Sequence, residues 1–298
     1  YAHAFVLLAA SSALLAGEKS AEVLLEEALE LFDKRFWDEE QGLTYDTWNT
    51  EFTVLDDYRG LNANMHTVEA FLAVADAIKF EKYRIRAGRI IDHVIEWAHS
   101  NEWRIPEHFT KEWKADLDCN KEQPSDRFKP YGATPGHGIE WARLIVQWAE
   151  SSYKDNLKNA EPYLNAAEKL YNRAIEDAWN VDGNPGIVYT TDWNGKPVVR
   201  DRMHWTLAEA INTSAVLWHI THKQKYARDY EEFLCYLDEK VLDHKNGSWF
   251  HQLDENNNVI GTVWPGKSDV YHAFQATWIP YGTPYVSIAS DIKEHMRK

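Results

Sequence analysis

Four imidazoles in this sequence stand beside a carboxylate near the start of an apolar, helix-like segment. The four pairs are His66 with Glu69, His137 with Glu140, His204 with Glu209, and Asp269 with His272. In the first two pairs, a spacing of three residues places both side chains on one helix face, where the carboxylate can orient the ring and raise its basicity. An imidazole titrates near neutral pH, which suits proton transfer at a carbon next to a carbonyl. The pattern therefore predicts acid–base chemistry of the kind that isomerises or epimerises sugars.

Other kinds of chemistry lack their motifs in this sequence. There is no glycine-rich phosphate loop, no Gly-x-Ser-x-Gly elbow and no cysteine placed as a nucleophile. The two His-x-x-Glu pairs raise the alternative of a metal site, but the sequence shows no third clustered ligand, so we predict neither a metal nor another cofactor. A histidine near a helix start is often only a cap or a core residue. Four histidines that each stand at the same place in a repeated helical unit, near the start of its apolar helix, favour a functional role.

Two kinds of helix alternate along the chain and must position these residues. The first kind is apolar around most of its circumference, which predicts an inner helix buried on nearly all sides. Its segments are 2–16, 65–79, 137–152, 204–221 and 270–281. The second kind has one apolar stripe and one charged face, which predicts an outer helix. Its segments are 19–35, 81–98, 160–178 and 224–242.

A short β-prone run follows three of the outer helices, after an aromatic or acidic stop and a glycine. These runs, at 36–45, 179–191 and 242–250, predict small β-hairpins leading to the next inner helix. The repeating unit is an inner helix, an outer helix and a hairpin, and it recurs about every 65 to 75 residues. Such a repeat predicts an all-α (α/α)6 toroid or barrel with short hairpins between its helices. A closed barrel needs roughly 400 residues at this spacing. We therefore expect residues 1–298 to form one barrel-type domain that lacks its N-terminal part.

The composition excludes several classes of partner. With 32 basic and 47 acidic residues the net charge is −15, so neither nucleic acid nor an anionic membrane surface is an expected partner. The apolar run at 5–17 resembles a signal-peptide core, but no basic segment precedes it, and we interpret it as a buried helix. Only two cysteines, Cys119 and Cys235, are present, which indicates a reducing, cytoplasmic location. The sequence leaves a homo-oligomer open.

Fourteen tryptophans among 298 residues are also unusual. Most are expected to pack between helices, since large rings fill a helical core. Three of them lie in loops or hairpins and are the better candidates for stacking on a sugar: Trp48, Trp249 and Trp264.

The motifs around the histidines resemble the N-acylglucosamine 2-epimerase superfamily, most closely its bacterial aldose–ketose isomerases of the mannose isomerase and sulfoquinovose isomerase types. The resemblance rests on Asn62-Ala-Asn-Met-His66-x-x-Glu-Ala70, Thr134-Pro-Gly-His137-x-Ile-Glu140-Trp141, Asp269-x-Tyr-His272 and the run from Gly186 to Arg200. It covers essentially the whole chain. It implies an (α/α)6 barrel and a cofactor-free enediol mechanism acting on a monosaccharide.

The resemblance also implies a role for individual residues. His272 would move a proton between C2 and C1 of the sugar, and His137, oriented by Glu140, would assist ring opening and proton movement at oxygen. The substrate-binding residues would be Tyr1, Asn62, His66 and Arg127, with Trp264 as the stacking candidate. An arginine that the family uses lies upstream of the matching region and is absent from this sequence.

The substrate prediction is D-mannose and D-fructose, with alternatives left open. The run His204-Trp-Thr-Leu-Ala-Glu209 only partly matches an epimerase motif, so a sugar 2-epimerase is one alternative. A sulfoquinovose isomerase is another, although a sulfonate would call for cationic groups that the last loop lacks. From a different class, an (α/α)6 glycoside hydrolase would need two opposed carboxylates. Loop aspartates are available for that role at Asp56, Asp57, Asp126 and Asp269. A non-catalytic sugar-binding protein is the last alternative.

Overall fold

The structure is a computed structural model that describes residues 1–283 and 286–296. Helices account for 54% and strands for 10% of the chain, so the prediction of a mostly helical protein is confirmed. The helices are α1 (Ala2–Ala16), α2 (Ala21–Arg35), α3 (Leu61–Ile78), α4 (Glu81–Ser100), α5 (Pro135–Ser152), α6 (Glu161–Ala178), α7 (His204–Thr221), α8 (Gln224–Tyr236), α9 (Val270–Trp278) and α10 (Ile288–His295). The predicted domain, 1–298, includes four residues outside the described ranges.

The predicted alternation of inner and outer helices is present from α2 to α8. The prediction is wrong for the first and last inner segments, 2–16 and 270–281, because α1 buries only one face and α9 buries only Gln275 and Ala276. Helices α3, α5 and α7 are buried around most of their circumference, whereas α2, α4, α6 and α8 each bury one face. Helix α7 begins and ends where the sequence predicted. The last outer segment differs from its expected single helix, because α8 ends at Tyr236 and one π-helical turn continues over Leu237–Val241.

Neighbouring inner helices pack against one another in chain order. Helix α1 contacts α3, α3 contacts α5, α5 contacts α7, and α7 contacts α9, while each outer helix packs on the inner helix before it. Helix α10 returns against α1 and α3. This order brings the starts of the inner helices to a common region. Among the described residues, no helix is both long and apolar enough to cross a bilayer.

Short antiparallel strands connect the helices. They are β1 (Trp37–Asp38), β2 (Leu43–Thr44), β3 (Arg59–Gly60), β4 (His108–Phe109), β5 (Thr190–Thr191), β6 (Pro197–Val199), β7 (Arg202–Met203), β8 (Gln252–Leu253) and β9 (Val259–Ile260). The first predicted hairpin is the β1–β2 pair. At the other two predicted hairpins, the structure has only an isolated antiparallel β-bridge. These bridges join Trp179 to Ile187 and Leu242 to Trp249. The β3–β4 pair joins the segment before α3 to the segment after Glu107.

The start of α5 lies very close to the start of α7. Pro135 occupies the first turn of α5, where its missing N–H costs nothing. Gly136 follows it, and a Cβ at that position would lie 2.7 Å from both the Trp205 ring and Thr206 Cγ2. Only glycine allows this approach. The contact places His137, the next residue, beside Trp205.

Candidate active site

Three of the predicted histidines lie around two aromatic rings. The Trp205 ring centroid is 5.0 Å from that of His137 and 6.0 Å from that of His272. Tyr271 connects the third imidazole, with ring-centroid distances of 4.8 Å to His272 and 6.4 Å to His66. These side chains come from α3, α5, α7 and α9. The tertiary structure therefore brings the imidazoles of three separate sequence motifs into one group.

The pair His66 and Glu69 is joined as its spacing predicts. His66 Nδ1 lies 3.3 Å from Glu69 Oε2, and both residues are buried. The hydroxyl of Tyr271 donates to the same carboxylate, and Gln275 Nε2 donates to Oε1 at 3.2 Å. Burial alone would raise the pKa of Glu69, but the hydrogen bond from His66 and the charge of Arg143 outweigh it and lower the pKa to about 2. Ionised Glu69 therefore stabilises the fold above its unfolded pKa of 4.5, and that contribution is lost as the pH falls toward 2.

The carboxylate that contacts His137 is not the one that the sequence predicted. Glu107 Oε1 lies 3.0 Å from His137 Nδ1, and Glu107 is 6% exposed. Glu140 is not hydrogen-bonded to His137, so the prediction that it orients this ring is wrong. His137 stands in the first turn of α5, where its ring contacts the segment just before β4. Glu107 is thus the residue that can fix the tautomer of His137.

Glu140 lies instead between the other two imidazoles. A carboxylate oxygen of Glu140 lies within 4.8 Å of a ring nitrogen of His66, and one lies within 4.8 Å of a ring nitrogen of His272. The side chain is 1% exposed, and its Oε1 has no hydrogen-bond partner among the residues the structure describes. Burial raises the pKa of Glu140 well above its usual value, and the negative charge of Glu209 raises it further. The neutral, proton-bearing form is therefore favoured, which would let Glu140 donate a proton within this group.

One buried arginine holds the carboxylates together. Arg143 Nε donates to Glu209 Oε2 at 2.7 Å, and its NH2 group donates to Glu209 Oε1 at 3.2 Å and lies 3.6 Å from Glu140. Burial alone would lower the pKa of Arg143, but the charges of Glu209, Glu69 and Glu140 raise it instead. The guanidinium thus stays charged inside the protein, where it offsets the negative charge beneath the imidazoles.

Within residues 1–283 and 286–296, three groups of side chains have the composition of a metal site. They are His66, Glu69 and Glu140; Glu140, Glu209 and His272; and His204, His251 and Asp269. The sequence had indicated no third clustered ligand, and that interpretation is wrong because the fold supplies one. The first two groups share Glu140, whose neutral form is a poor ligand, and their other carboxylates already face Arg143. Metal-free catalysis stays a prediction.

The five predicted substrate-binding residues fall into two sets. Tyr1 is 52% exposed, and its ring meets that of His66 edge-on at 5.1 Å. Asn62 is exposed in the first turn of α3, one helical turn before His66. Arg127 and Trp264 lie on two loops and contact each other, the guanidinium carbon 3.9 Å from the ring centroid. Arg127 thus covers part of the ring surface that would stack on a sugar.

The other two loop tryptophans, Trp249 and Trp48, and the loop aspartate Asp126 make contacts that stabilise the fold. Trp249 is 7% exposed in the hydrophobic core, so its prediction as a sugar-stacking residue is wrong. Trp48 donates its indole N–H to the carbonyl of Arg35 at 2.6 Å, and no ring contact joins it to the three imidazoles in the described part of the chain. Asp126 accepts backbone N–H groups of the turn that follows it.

Sequence reasoning missed two members of this group. Arg143 stands three residues after Glu140, and the same spacing rule that paired His137 with Glu140 could have pointed to it. Glu107 carries no such signal, because no local spacing links it to His137, 30 positions further along the chain.

Comparison with known proteins identifies the family to which this arrangement belongs. A family described as N-acylglucosamine 2-epimerase (GlcNAc 2-epimerase) matches residues 1–276. The chain belongs to the N-acylglucosamine 2-epimerase family. The predicted resemblance to this family is confirmed, and with it the expectation of a sugar-converting enzyme.

Several members of the family are similar over nearly the whole chain. A D-mannose isomerase from Pseudomonas cannabina pv. alisalensis is 42% identical over 97% of the chain and 70% of its own length. A D-mannose isomerase from Thermobifida fusca is 43% identical over 94% of the chain and 68% of its own length. The chain thus spans about 70% of the length of these relatives.

Solved structures confirm the toroid-type fold. A crystal structure of D-mannose isomerase superposes with a TM-score of 0.86 at 31% identity, over 93% of this chain and 70% of that one. Cellobiose 2-epimerase from Spirochaeta thermophila DSM 6192 superposes with a TM-score of 0.75 at 16% identity, over 99% of this chain and 70% of that one. At that identity the second likeness concerns the fold alone.

Proposed function

We propose that the chain interconverts D-mannose and D-fructose through an enediol, without a metal or other cofactor. The observation that carries the proposal is the group formed by His66, His137 and His272 around Trp205 and Tyr271. Identity of 42% and 43% to D-mannose isomerases supports the same substrate pair.

The proposed reaction moves one proton on carbon and one on oxygen. In open-chain mannose, the imidazole of His272 removes the proton from C2 and returns it to C1, while the carbonyl moves from C1 to C2. His137, whose Nδ1 faces Glu107, transfers the balancing proton from the C2 hydroxyl to the C1 oxygen and assists ring opening. Neutral Glu140 lies beside both His66 and His272 and can stabilise the enediol oxygens by donating a hydrogen bond. Tyr1, Asn62 and His66 would bind the remaining hydroxyls.

The charges of the site favour a neutral sugar over a sulfonated one. The buried cation, Arg143, already faces Glu69, Glu140 and Glu209. Arg127 is exposed and stacked on Trp264. A sulfonate would therefore enter a region where carboxylates outnumber free positive charge, which costs electrostatic energy.

The test is an assay of the purified natural protein, supplied with D-mannose in deuterated water. We expect fructose to accumulate, with deuterium from solvent at C1 to the extent that the proton on His272 exchanges. Absence of fructose would contradict the proposal. Glucose appearing from mannose without a ketose would instead indicate a 2-epimerase, and turnover of sulfoquinovose but not mannose would indicate the sulfonated substrate.

The same assay tests the absence of a metal. After dialysis against EDTA, we expect the rate of fructose formation to be unchanged, because the carboxylates of the candidate ligand groups are already paired with Arg143 or His204. A loss of activity that a single divalent ion restores would contradict metal-free catalysis.

Glu107 provides a further prediction for the proposed reaction. Glu107→Gln keeps the size of the side chain but removes the charge that favours the Nδ1–H tautomer of His137. We expect kcat to fall about 10- to 100-fold with little change in KM. The matched control is Glu112→Gln in the same loop, where the glutamate is exposed. Equal effects of the two variants, or none at Glu107, would refute the role.

We propose a monosaccharide as the partner, and the net charge of −15 argues against nucleic acid. A reducing, cytoplasmic location rests on the free thiols of Cys119 and Cys235. Measuring the mass of the native protein in solution would decide whether it forms a homo-oligomer.

A further inference from the structure

One carboxylate connects the proposed base to a second, deeply buried imidazole. Asp269 stands at the N-terminus of α9, where its Oδ1 accepts the backbone N–H of His272 at 2.9 Å. Both carboxylate oxygens also lie close to His272 Nδ1, at 3.3 and 3.4 Å. On its other side, Oδ2 lies 2.9 Å from His204 Nε2. Asp269 thus contacts two imidazoles from two inner helices.

The buried imidazole can act only as a donor toward this carboxylate. His204 is the first residue of α7 and is 2% exposed. Burial lowers the pKa of His204 more than Asp269 raises it, which favours the neutral ring. A neutral imidazole carries one proton, and the carboxylate fixes that proton on Nε2. His204 Nδ1 has no partner among the described residues, which suits a bare lone pair better than an N–H.

The carboxylate needs such an anchor. The Asp269 side chain is 43% exposed, so water could otherwise compete for its oxygens and allow it to rotate away from His272. Its pKa is held well below the usual range, because hydrogen bonds from His204 and His272 outweigh the effect of burial. Asp269 is therefore ionised at neutral pH.

We infer that Asp269 and His204 are positioning residues for His272, an inference that rests on the proposed function. Asp269 accepts the Nδ1–H of His272, so that the Nε2 lone pair is the one available to the substrate. His204 donates to Asp269 and keeps its carboxylate in place. The His204–Asp269 contact also joins the start of α7 to the start of α9, which fixes the position of the base relative to Trp205.

Two substitutions separate this role from a purely structural one. Asp269→Asn retains an oxygen that can cap α9, so the helix start is preserved, but the amide cannot accept from both imidazoles. His204→Phe keeps a buried ring of similar shape and removes the donor. The matched control is Asp254→Asn, since Asp254 also accepts backbone N–H groups in a turn, at Asn256 and Asn258, without contacting an imidazole.

The kinetic result expected is a change in kcat alone. We expect Asp269→Asn and His204→Phe each to lower kcat about 10- to 100-fold, with KM within about twofold of the natural protein. The double variant should lose little more than Asp269→Asn, because the two residues act through one contact. Unchanged kcat in Asp269→Asn, or an equal loss in Asp254→Asn, would overturn the inference.

A spectroscopic measurement keeps this inference separate from the proposed function. In 15N NMR of the histidine side chains, His272 is expected as the Nδ1–H tautomer, and Asp269→Asn is expected to shift it toward Nε2–H. An Nε2–H tautomer of His272 in the natural protein would overturn the inference whatever the activity. If no mannose is converted but the tautomer responds to Asp269→Asn, the proposed function fails while the positioning of His272 stands.

Discussion

Replacing His272 with asparagine is expected to lower the rate of mannose–fructose interconversion by about 10²- to 10⁴-fold. The reason is that the imidazole supplies the base, and an amide cannot take up a proton at neutral pH. The backbone N–H of residue 272 still donates to Asp269, so the start of α9 is retained. Initial rates of fructose formation measure the effect, together with the rate at which deuterium from solvent appears in the sugar.

The control for this variant is His219→Asn, an exposed histidine near the far end of α7. It should leave both rates unchanged. Circular dichroism and melting temperature of His272→Asn should match those of the natural protein, since in the described part of the chain the hydrogen bonds of the His272 side chain are to Asp269. Full turnover in a folded His272→Asn variant would exclude this residue as the base.

Replacing Arg143 with methionine is expected to lower the free energy of unfolding by about 3 to 5 kcal/mol. The guanidinium is buried and faces Glu69, Glu140 and Glu209, all of them buried as well. Without it Glu69 and Glu209 lose the positive charge that faces them, in a medium that solvates a carboxylate poorly, which costs far more than the loss of a hydrogen bond. Denaturant unfolding at neutral pH measures the change.

Two further variants define the cause of that loss. Arg143→Met combined with Glu209→Met should recover part of the stability, because it removes the carboxylate that Arg143 binds through two nitrogens. Arg200→Met is the control, since Arg200 and its partner Glu255 are about half exposed and 3.7 Å apart. Its effect should stay below about 1 kcal/mol. An equally small effect at Arg143 would show that the buried carboxylates are stabilised by other means.

The sequence predicted those features of the site that depend on neighbours along the chain. Burial on all sides of a helix appears as an uninterrupted apolar circumference, so the inner helices α3, α5 and α7 were recognisable, and α7 was located to the residue. The contact between His66 and Glu69 followed from their spacing of three, because both lie well inside α3. The histidines of the separate motifs could also be named in advance.

The same spacing failed for His137 and Glu140, and the reason is physical. His137 lies in the first turn of α5, next to the segment before β4, and there Glu107 provides a carboxylate at 3.0 Å. Glu140, one turn deeper, is directed into the interior, where Arg143 and the other carboxylates lie. Helical spacing places two residues on one face, but the neighbours across the interface decide which of them form a hydrogen bond.

The residues of the sequence by themselves determined the helical repeat, the family and the identity of the imidazoles, because these depend on local pattern. The tertiary structure alone decided the more distant neighbours of these groups: Glu107 at His137, His204 at Asp269, and Arg143 at Glu209. Those contacts join residues far apart in the chain. Protonation and tautomer are set by such neighbours and by burial, which no spacing rule contains.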